Sequence, residues 1–509
     1  MNTLNIAGVL EHASRMTPEK IFVHDEERTW TYRQIEAESQ RFANVLAGLG
    51  IQSGEKVALL LPNIALYPIC HYGALKRGAV PVPLPALAPG PEIAYMLSDA
   101  DAVALVTIAP FVDAALDGYN AVDGCRHLIA ANVPETESPS ASVQRLEGWM
   151  AAVDDAFTTV PTRPDDPAVI LYTAGTTGRP KGAVLTHFNY YFFSYLLARD
   201  LWRITADDVI LTLAPASHIF GQAMLTVACA AQAQLRLMPK FAPKTFLQTI
   251  ERDKVTFFAG VPTLGHLLIH NPQREQTDLS SLRCVMFGGA PMPPGMAEQI
   301  RTQFHVDVIT GYGLTEGVPL TFITAEMRQA PSTSVGLPVL GTSIRVVNEA
   351  GQDVSTGEPG EIVARGPQVF QGYYRRAEES ARSLRDEWFH TGDIGYQDDN
   401  GYLFLVDRLN DMIKTRGYTV FPAEVERVLC SHPVIAEAAV IGIPDEVRGE
   451  IVKAFVTLKP EATVSEKDLT AYTKTQLAEY KCPRIIEFRE NLPKSPAGKI
   501  LRRVLRSEG

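Results

Sequence analysis

Short apolar runs alternate with stretches of helical spacing through much of the chain. Residues 56–61 form an apolar run typical of a buried strand, whereas residues 32–49 place apolar side chains at helical spacing and stop at Gly50. A second helical stretch, 64–78, leads into an extended segment at 79–83. This βαβ rhythm predicts an α/β fold in which parallel-type sheets carry helices on their faces.

The pattern changes twice toward the C-terminus. From about residue 336 it becomes β-rich, with turn dipeptides between short strands, which predicts a small β subdomain over about 336–409. The last hundred residues predict an α+β unit, with helices at 422–430 and 465–477 and strands at 436–442 and 452–458. Because 509 residues are too many for one core, we expect two to four domains or subdomains. The change of character after Arg408 divides the chain into an N-terminal domain of 1–409 and a smaller domain of 410–509.

Composition narrows the class of protein. The chain is 46% apolar and 21% charged, as is usual for a globular protein, and its net charge of −11 gives no general attraction to nucleic acid or anionic membranes. A bound anion must therefore depend on local groups. The six cysteines form no C-x-x-C pair, which favours reduced, mostly buried thiols and a cytoplasmic location.

The segment 209–235 contains no Asp, Glu, Lys or Arg and is long enough to cross a bilayer. It also contains Pro215, His218 and three glutamines, and helical spacing cannot continue through that proline. We therefore expect a buried strand, a loop and a core helix rather than a membrane span.

The stretch 173–182, TAGTTGRPKG, follows the apolar run 169–172 and has the composition of a phosphate-binding loop. Its glycines allow backbone N–H groups to converge on an anion, its threonines add hydroxyl donors, and Lys181 adds a positive charge. It is not a Walker loop, because Pro180 interrupts the spacing and Gly182 stands where Ser or Thr is required.

Two further strand ends carry candidate ligand-binding residues. Gly288, Gly289 and Ala290 follow an apolar strand, and in a doubly wound sheet ligands collect at the carboxyl ends of strands, so we expect an adenine edge there. The motif GYGLTE at 311–316 offers the ring of Tyr312 to adenine, the hydroxyl of Thr315 to a phosphate, and Glu316 to Mg²⁺.

The order of these motifs resembles that of the adenylate-forming (AMP-binding) superfamily, in particular its acyl- and aryl-CoA synthetase branch. The phosphate loop, GYGLTE and the terminal PKSPAGK at 493–499 all match, although the family usually has Ser where this chain has Ala174. One hydroxyl donor is therefore missing, while the backbone cradle remains. The resemblance implies a large N-terminal domain of stacked sheets with the β subdomain, followed by a mobile C-terminal lid.

The resemblance also implies roles for residues near the lid. Asp393 is the expected ribose ligand, since a carboxylate can accept both ribose hydroxyls, and Arg408 lies against ribose or phosphate. Asn410 takes the hinge position, where the family usually has Asp or Lys, and Gly417 lines the tunnel for the pantetheine arm. Lys499 supplies positive charge to the reacting carboxylate and the α-phosphate.

Together these predictions define the expected site. The expected catalytic residues are Lys499, Thr176, Lys181, Glu316 and His218. The expected nucleotide and coenzyme ligands are Thr173, Gly175, Thr176, Thr177, Gly178, Lys181, Gly288, Gly289, Ala290, Gly311, Tyr312, Gly313, Thr315, Asp393, Arg408, Gly417 and Lys499. The expected acyl pocket comprises His218, Ile219, Phe220, Val261, Met286, Gly311, Gly313, Val318 and Pro319.

The reaction that the resemblance implies joins an organic acid to coenzyme A with ATP and Mg²⁺, through an acyl-AMP intermediate and release of pyrophosphate. The predicted pocket lacks an Asp that could hold an amino group and a cation that could pair with a second carboxylate, which favours a medium-chain fatty or an aryl or alicyclic acid. Three alternatives stay open: an enzyme that loads a carrier protein, a non-catalytic nucleotide-binding homologue, and a luciferase-type oxygenase.

The sequence says less about macromolecular partners. The context of Lys499 resembles that of lysines acetylated in bacteria, which implies a protein acetyltransferase as a partner. A homodimer is one of the oligomeric states that the sequence leaves open.

Overall fold

The computed structural model describes residues 3–26, 28–134, 142–173, 179–290, 292–293, 295–415, 418–445, 448–494 and 500–508. The chain divides into two compact units, one of Met1–Ser343 with Arg365–Phe389, the other of Ile344–Ala364 with His390–Gly509. Each unit is described by itself below.

The strands of the chain up to residue 323 belong to the first unit. They are β1 (Ile21–Asp25), β2 (Arg28–Thr31), β3 (Lys56–Leu59), β4 (Val80–Pro83), β5 (Ala102–Ile108), β6 (His127–Ala131), β7 (Val143–Arg145), β8 (Pro167–Thr173), β9 (Lys181–Thr186), β10 (Val209–Thr212), β11 (Gln234–Leu237), β12 (Phe257–Gly260), β13 (Cys284–Phe287), β14 (Asp307–Leu314) and β15 (Gly317–Ile323).

The helices of the same part of the chain alternate with these strands. They are α1 (Gly8–Met16), α2 (Tyr32–Gly48), α3 (Leu66–Lys76), α4 (Gly90–Asp99), α5 (Val112–Asn120), α6 (Leu146–Ala151), α7 (His187–Tyr195), α8 (Ile219–Ala230), α9 (Pro243–Asp253), α10 (Pro262–Ile269) and α11 (Met296–Phe304).

The rest of the chain is richer in strands. These are β16 (Leu337–Pro338), β17 (Ser343–Val347), β18 (Gly360–Arg365), β19 (Gly372–Tyr373), β20 (Leu384–Arg385), β21 (Trp388–Gln397), β22 (Leu403–Arg408), β23 (Ile413–Thr415), β24 (Tyr418–Val420), β25 (Ile435–Asp445), β26 (Gly449–Leu458) and β27 (Ile485–Phe488). The helices are α12 (Ala377–Ser383), α13 (Pro422–Cys430), α14 (Glu466–Gln476) and α15 (Arg502–Glu508).

Two sheets of the first unit contain runs of parallel strands. One has the order β4-β3-β5-β6-β7 and is parallel throughout. The other has the order β16-β15-β14-β13-β12-β10-β11-β1-β2, in which β14 through β1 run parallel and the flanking strands run antiparallel. The predicted α/β class with parallel-type sheets is confirmed.

The helix α2 shows how local sequence sets an element. Thr31 caps its N-terminus, since its hydroxyl accepts from the backbone N–H of Gln34 while the Gln34 side chain accepts from the backbone N–H of Thr31. Apolar residues at helical spacing, among them Ile35 and Phe42, are fully buried on one face. Gly50 follows in the left-handed region at φ +74°, which ends the helical segment close to the predicted position.

The uncharged segment 209–235 folds as its proline and polar residues predict. It forms the buried strand β10, a loop around Pro215, the core helix α8 and the start of β11. Among the residues that the structure describes, no helix is long and apolar enough to cross a membrane.

The phosphate loop connects two antiparallel strands. β8 and β9 pair so that Thr173 lies opposite Lys181, and β19 pairs with the other edge of β9 in the order β19-β9-β8. Residues 174–178, which carry most of the loop, lie outside the described residues. The two residues that flank the loop are therefore fixed by a backbone ladder, which also brings residues 372–373 to the same place.

The second unit contains a sheet with the order β24-β23-β26-β25, to which β27 adds beside β26. Its helix α13 begins and ends at the predicted residues, 422 and 430. The two long strands extend beyond the predicted 436–442 and 452–458, because their pairing continues through Asp445 opposite Gly449. Ser465 caps α14 by accepting from the N–H of Asp468, and Leu469 and Ile486 lie in the core between helix and sheet.

Candidate active site

The carboxyl ends of β12, β13 and β14 lie side by side in the first unit. Gly260 pairs with Phe287, which in turn pairs with Thr310, so Val261, Gly288 and Gly311 follow at the same edge. Gly288 is buried, while Gly289 and Ala290 are exposed. The residues predicted for the adenine edge are thus brought together with Val261 and Met286 of the predicted acyl pocket.

Glycine is required at the hairpin of β14 and β15. A Cβ atom at Gly311 would lie 2.5 Å from the Phe322 ring, and one at Gly313 would lie 2.9 Å from the carbonyl oxygen of Gly317. Tyr312 lies between them on β14 and is 8% exposed. Thr315 and Glu316 form the turn, and Val318 and Pro319 follow on β15.

Glu316 is a buried carboxylate that faces hydroxyl groups. It is 8% exposed, and its Oε1 accepts from the Tyr373 hydroxyl at 2.8 Å and from the Thr173 hydroxyl at 3.4 Å. Burial raises the pKa of the Tyr373 hydroxyl, and the Glu316 charge raises it further. Tyr373 is therefore a hydrogen-bond donor across the physiological pH range.

Magnesium prefers oxygen ligands and is commonly held by one or two carboxylates together with the phosphates of a substrate. Glu316 is a buried carboxylate beside Thr173, the first residue of the phosphate loop, and therefore fits that pattern. Within the described residues there is no group of three or more His, Cys, Asp or Glu side chains that could hold a metal ion without such a substrate.

Lys181 lies at the first position of β9, beside the phosphate loop. Its ammonium nitrogen is 2.5 Å from a carboxylate oxygen of Glu379, and it lies over the Tyr373 ring at 5.0 Å from the centroid. The Lys181 side chain is 14% exposed, so its charge is only partly screened by water.

His218 is the N-cap residue of α8, and its Nδ1 accepts from the backbone N–H of Phe220 at 3.2 Å. Ile219 is buried and Phe220 is half-buried. The chain can turn into α8 only with glycine at 221, because a Cβ there would lie 2.2 Å from the Pro215 carbonyl oxygen. His218 is thereby held at the exposed start of a helix whose residues 221–229 are buried.

One face of the sheet under α8 is apolar and contains small side chains near its carboxyl edge. We call this surface, formed by Phe257, Ala259, Met286 and Gly288, the acid face. The first three belong to one core cluster with α8 residues, whereas Phe258, Val285 and Phe287 point to a cluster on the opposite face. Farther from the edge, Trp202 stacks on Phe257 with ring centroids 5.2 Å apart.

In the second unit, Asp393 and Arg408 occupy opposite positions on β21 and β22. Arg408 Nε lies 3.2 Å from Asp393 Oδ1, and Asp393 is 7% exposed. The two residues predicted for the ribose are therefore paired with each other. Asn410, the predicted hinge, lies in a short 3₁₀ turn that follows β22.

The remaining predicted site residues lie outside the described residues, and their roles stay predictions. These are Gly175, Thr176, Thr177, Gly178, Gly417 and Lys499.

Sequence reasoning missed Tyr373, Glu379 and Trp202. Tyr373 lies on β19 and Glu379 on α12, which follows it, so both reach the site through the pairing of β19 with β9. No local sequence pattern predicts this long-range contact. The motif QGYY at 371–374 is a usable signal for Tyr373. A polar turn can require Gly, but it does not require the aromatic residue that follows. Trp202 stands alone in a mixed segment, and nothing near it indicates a stacking partner.

Comparisons with known proteins agree with this arrangement. A family model described as AMP-binding enzyme matches residues 10–374, and one described as AMP-binding enzyme C-terminal domain matches residues 424–499. The chain therefore belongs to the AMP-binding enzyme family.

Relatives and solved structures give the same picture. The chain is 36% identical to a long-chain-fatty-acid–CoA ligase of Yersinia pestis, over 94% of this chain and 90% of the relative. It is 34% identical to a feruloyl-CoA synthase of Amycolatopsis sp, over 96% of each. Its fold matches the anthranilate CoA ligase AuaEII in complex with anthranoyl-AMP, with a TM-score of 0.90, 30% identity, and 100% of this chain and 98% of that chain covered.

A second solved structure, ATP-bound MatB from Rhodopseudomonas palustris, matches with a TM-score of 0.89 and 30% identity, over 100% of this chain and 99% of that chain. These comparisons confirm the predicted class, an AMP-forming acid–thiol ligase with ATP, Mg²⁺ and coenzyme A.

Proposed function

We propose that the chain activates a medium-chain fatty acid or an aryl or alicyclic acid with ATP and transfers the acyl group to coenzyme A. A carboxylate is a poor acylating agent because its leaving group would be oxide. A carboxylate oxygen attacks the α-phosphorus of ATP, the bond to pyrophosphate breaks, and acyl-AMP forms. The coenzyme A sulfur then attacks the acyl carbon, its proton is lost, and AMP leaves.

The first step gathers negative charge, so the residues that serve it are mainly electrostatic. Lys181 and the loop hydroxyls bind the β- and γ-phosphates in this proposal, and Glu316 holds Mg²⁺, which neutralises phosphate charge when bound. Lys499 takes the carboxylate and α-phosphate, as the family resemblance implies. Asp393 and Arg408 take the ribose, and Gly311 and Tyr312 border the adenine.

The observation that favours a limited acid length is the stack of Trp202 on Phe257 at the far end of the acid face. Val261, at the carboxyl edge, follows Phe257 by four positions, which is about 13 Å at 3.3 Å per residue. Within that distance the acid face carries the small Ala259 and the flexible Met286, whereas the two stacked rings lie at its far end. An aromatic ring or a medium-length alkyl chain fits this depth, and a long acyl chain does not.

The chemical character of the acid face supports the same class. Met286 is flexible and apolar, and its methyl group lies 3.1 Å from where a Cβ of Gly288 would be, so it can adapt to rings and chains of different shape. An acid with a second carboxylate would lose hydration there without gaining a cation.

The test is a panel of acids given to the purified protein with Mg²⁺, ATP and either coenzyme A or a carrier protein, with thioester products separated by chromatography. We expect the highest kcat/KM for medium-chain fatty acids, benzoates or cinnamates, and coenzyme A as the acceptor. A preference for long-chain acids or dicarboxylates would contradict the proposed substrate class. Thioester formed on the carrier protein alone would contradict the proposed acceptor.

A further inference from the structure

Glu379 forms an ion pair with Lys181, the cation that binds the nucleotide phosphates in the proposed function. Its carboxylate lies 2.5 Å from the Lys181 ammonium, and the two side chains are only 22% and 14% exposed. Because water screens this pair less than a surface ion pair, the attraction between the two groups is correspondingly stronger. An anion that binds Lys181 must therefore compete with a carboxylate that is already there.

Backbone pairing fixes the two residues beside each other. Tyr373 on β19 pairs with Ala183 on β9, and the N–H of Tyr374 donates to the Gly182 carbonyl at 2.8 Å. The hydroxyl of Ser380 accepts from the Tyr373 N–H at 2.8 Å, which ties α12 to the same strand. The opposition of Glu379 and Lys181 is thus a consequence of the fold rather than of two long side chains meeting by chance.

A second cation lies near Glu379. Arg376 Nη1 is 3.9 Å from a Glu379 carboxylate oxygen, while its Nη2 binds Asp99 at 2.5 Å and donates to the Tyr95 hydroxyl at 3.3 Å. Arg376 is therefore held in place by Asp99 and Tyr95, and it stays near Glu379 when Lys181 moves. If Lys181 turns toward a phosphate, Glu379 still has a positive neighbour, so the exchange does not leave an unpaired charge.

We propose that Glu379 is a resident counter-ion that holds Lys181 until the phosphates of ATP replace it. The inference rests on the proposed function, since it takes Lys181 as a ligand of the β- and γ-phosphates. Competition by Glu379 weakens the binding of ATP, and it weakens the binding of pyrophosphate equally. When pyrophosphate leaves after acyl-AMP has formed, Lys181 returns to Glu379, so the same contact that opposes ATP binding favours release of the product.

The chain offers a matched control on the same helix. Glu378 precedes Glu379, carries the same charge and is 93% exposed, with Arg382 at 3.6 Å. Replacing Glu378 by Gln changes the net charge as much as replacing Glu379, but leaves Lys181 untouched. A comparison of the two variants separates the local contact from the general electrostatic effect of removing one negative charge.

The experiment measures, by titration calorimetry on the full chain, the affinity of wild type, Glu379→Gln and Glu378→Gln for pyrophosphate, ATP and AMP. We expect Glu379→Gln to bind pyrophosphate and ATP about three- to tenfold more tightly, and AMP as wild type does, because AMP lacks the phosphates that reach Lys181. Glu378→Gln should match wild type for all three. Melting temperatures and a second variant, Glu379→Ala, with the same direction of change, exclude misfolding as the cause.

Unchanged or weaker pyrophosphate binding in Glu379→Gln, with normal binding by wild type, would overturn this inference alone. Equal tightening in Glu378→Gln, or equal tightening toward AMP, would also overturn it, because the effect would then not act through Lys181. A wild-type chain that binds neither ATP nor pyrophosphate would overturn the proposed function as well.

Discussion

The phenolic oxygen of Tyr373 lies 2.8 Å from Oε1 of Glu316 and donates a hydrogen bond to it. Tyr373 comes from β19 and Glu316 from the turn between β14 and β15, so two separate sheets meet at this contact. The hydroxyl orients a buried carboxylate that we expect to hold Mg²⁺. A hydrogen-bond donor of this kind orients a metal-binding carboxylate, and its loss typically lowers metal affinity by about ten- to a hundredfold.

Replacing Tyr373 by Phe should therefore raise the Mg²⁺ concentration required for half-maximal ATP binding by about tenfold. The ring is retained, so its contact with Lys181 at 5.0 Å and its edge contact with Phe370 at 4.9 Å remain. The measurement is ATP affinity by calorimetry across a Mg²⁺ series, with the rate of acyl-AMP formation alongside.

Tyr374→Phe is the control for that variant. Tyr374 is the next residue, and its hydroxyl donates to Asp101 on the exposed surface instead. A Mg²⁺ series for Tyr373→Phe that superimposes on those of Tyr374→Phe and wild type would show that the hydroxyl does not orient the metal ligand.

Lys499→Ala should lower the rate of acyl-AMP formation by about a hundredfold or more, because positive charge is lost where negative charge develops. Transfer of the acyl group from supplied acyl-AMP to coenzyme A should change little, since that step does not require the same charge. Each half-reaction is measured separately by rapid quench. Lys494→Ala is the control, because Lys494 pairs with Glu437 at 2.6 Å within the second unit. Equal loss of both half-reactions would contradict the role assigned to Lys499.

Gly221→Ala should destabilise the first unit by about 2 kcal/mol or more and reduce acid-dependent activity. The added methyl group would lie 2.2 Å from the Pro215 carbonyl oxygen, so the start of α8, and His218 with it, must shift. Gly148→Ala, in α6 with no atom within 4 Å of the new Cβ, should be neutral or slightly stabilising. The measurement is thermal unfolding of both variants, and a Gly221→Ala protein that melts like wild type would argue against a rigid turn at this position.

His187 should make the stability of the protein depend on pH. Burial lowers the pKa of its ring to about 4, and its Nδ1 accepts from the Ile6 N–H at 3.2 Å, so the folded protein keeps the ring neutral. The unfolded chain takes up a proton as the pH falls below about 6.5. The contribution of the neutral His187 ring to the free energy of unfolding is therefore fully present above about pH 6.5 and is lost progressively as the pH falls toward 4.

His187→Asn keeps an acceptor for the Ile6 N–H but cannot titrate. Between pH 7.5 and pH 5 its free energy of unfolding should therefore decrease by about 1–2 kcal/mol less than that of wild type. Urea unfolding at the two pH values provides the comparison, with His12→Asn, at an exposed position, as the control. The same pH dependence in His187→Asn and wild type would assign the effect to other groups.

Much of the fold could be predicted because its signals are local. The helix α13 begins at Pro422 and ends at Cys430 as predicted, since proline suits the first turn and apolar residues recur at helical spacing. The predicted strands of the first unit are present, with ends shifted by one or two residues. Strand ends depend on pairing with neighbours, and the extension of β25 to Asp445 follows from its partner rather than from its own sequence.

The candidate site was predictable only where a motif is contiguous. GYGLTE shows its glycines, its Tyr and its Glu316 within six residues. The contact of Tyr373 with Glu316 joins residues separated by 57 positions, and that of Glu379 with Lys181 depends on the same β19–β9 pairing. Trp202 and Phe257 likewise meet only through tertiary packing. The contacts by which these residues position or oppose the charged groups are therefore set by long-range packing, which local sequence patterns do not predict.

The most direct test of the central claim is exchange of labelled pyrophosphate into ATP by the purified chain in the absence of coenzyme A. Exchange requires reversible formation of acyl-AMP, so it reports the first half-reaction alone. We predict exchange that depends on Mg²⁺ and on an added medium-chain or aryl acid, and that Lys499→Ala abolishes. Absence of exchange with every carboxylic acid of a broad panel would contradict the account.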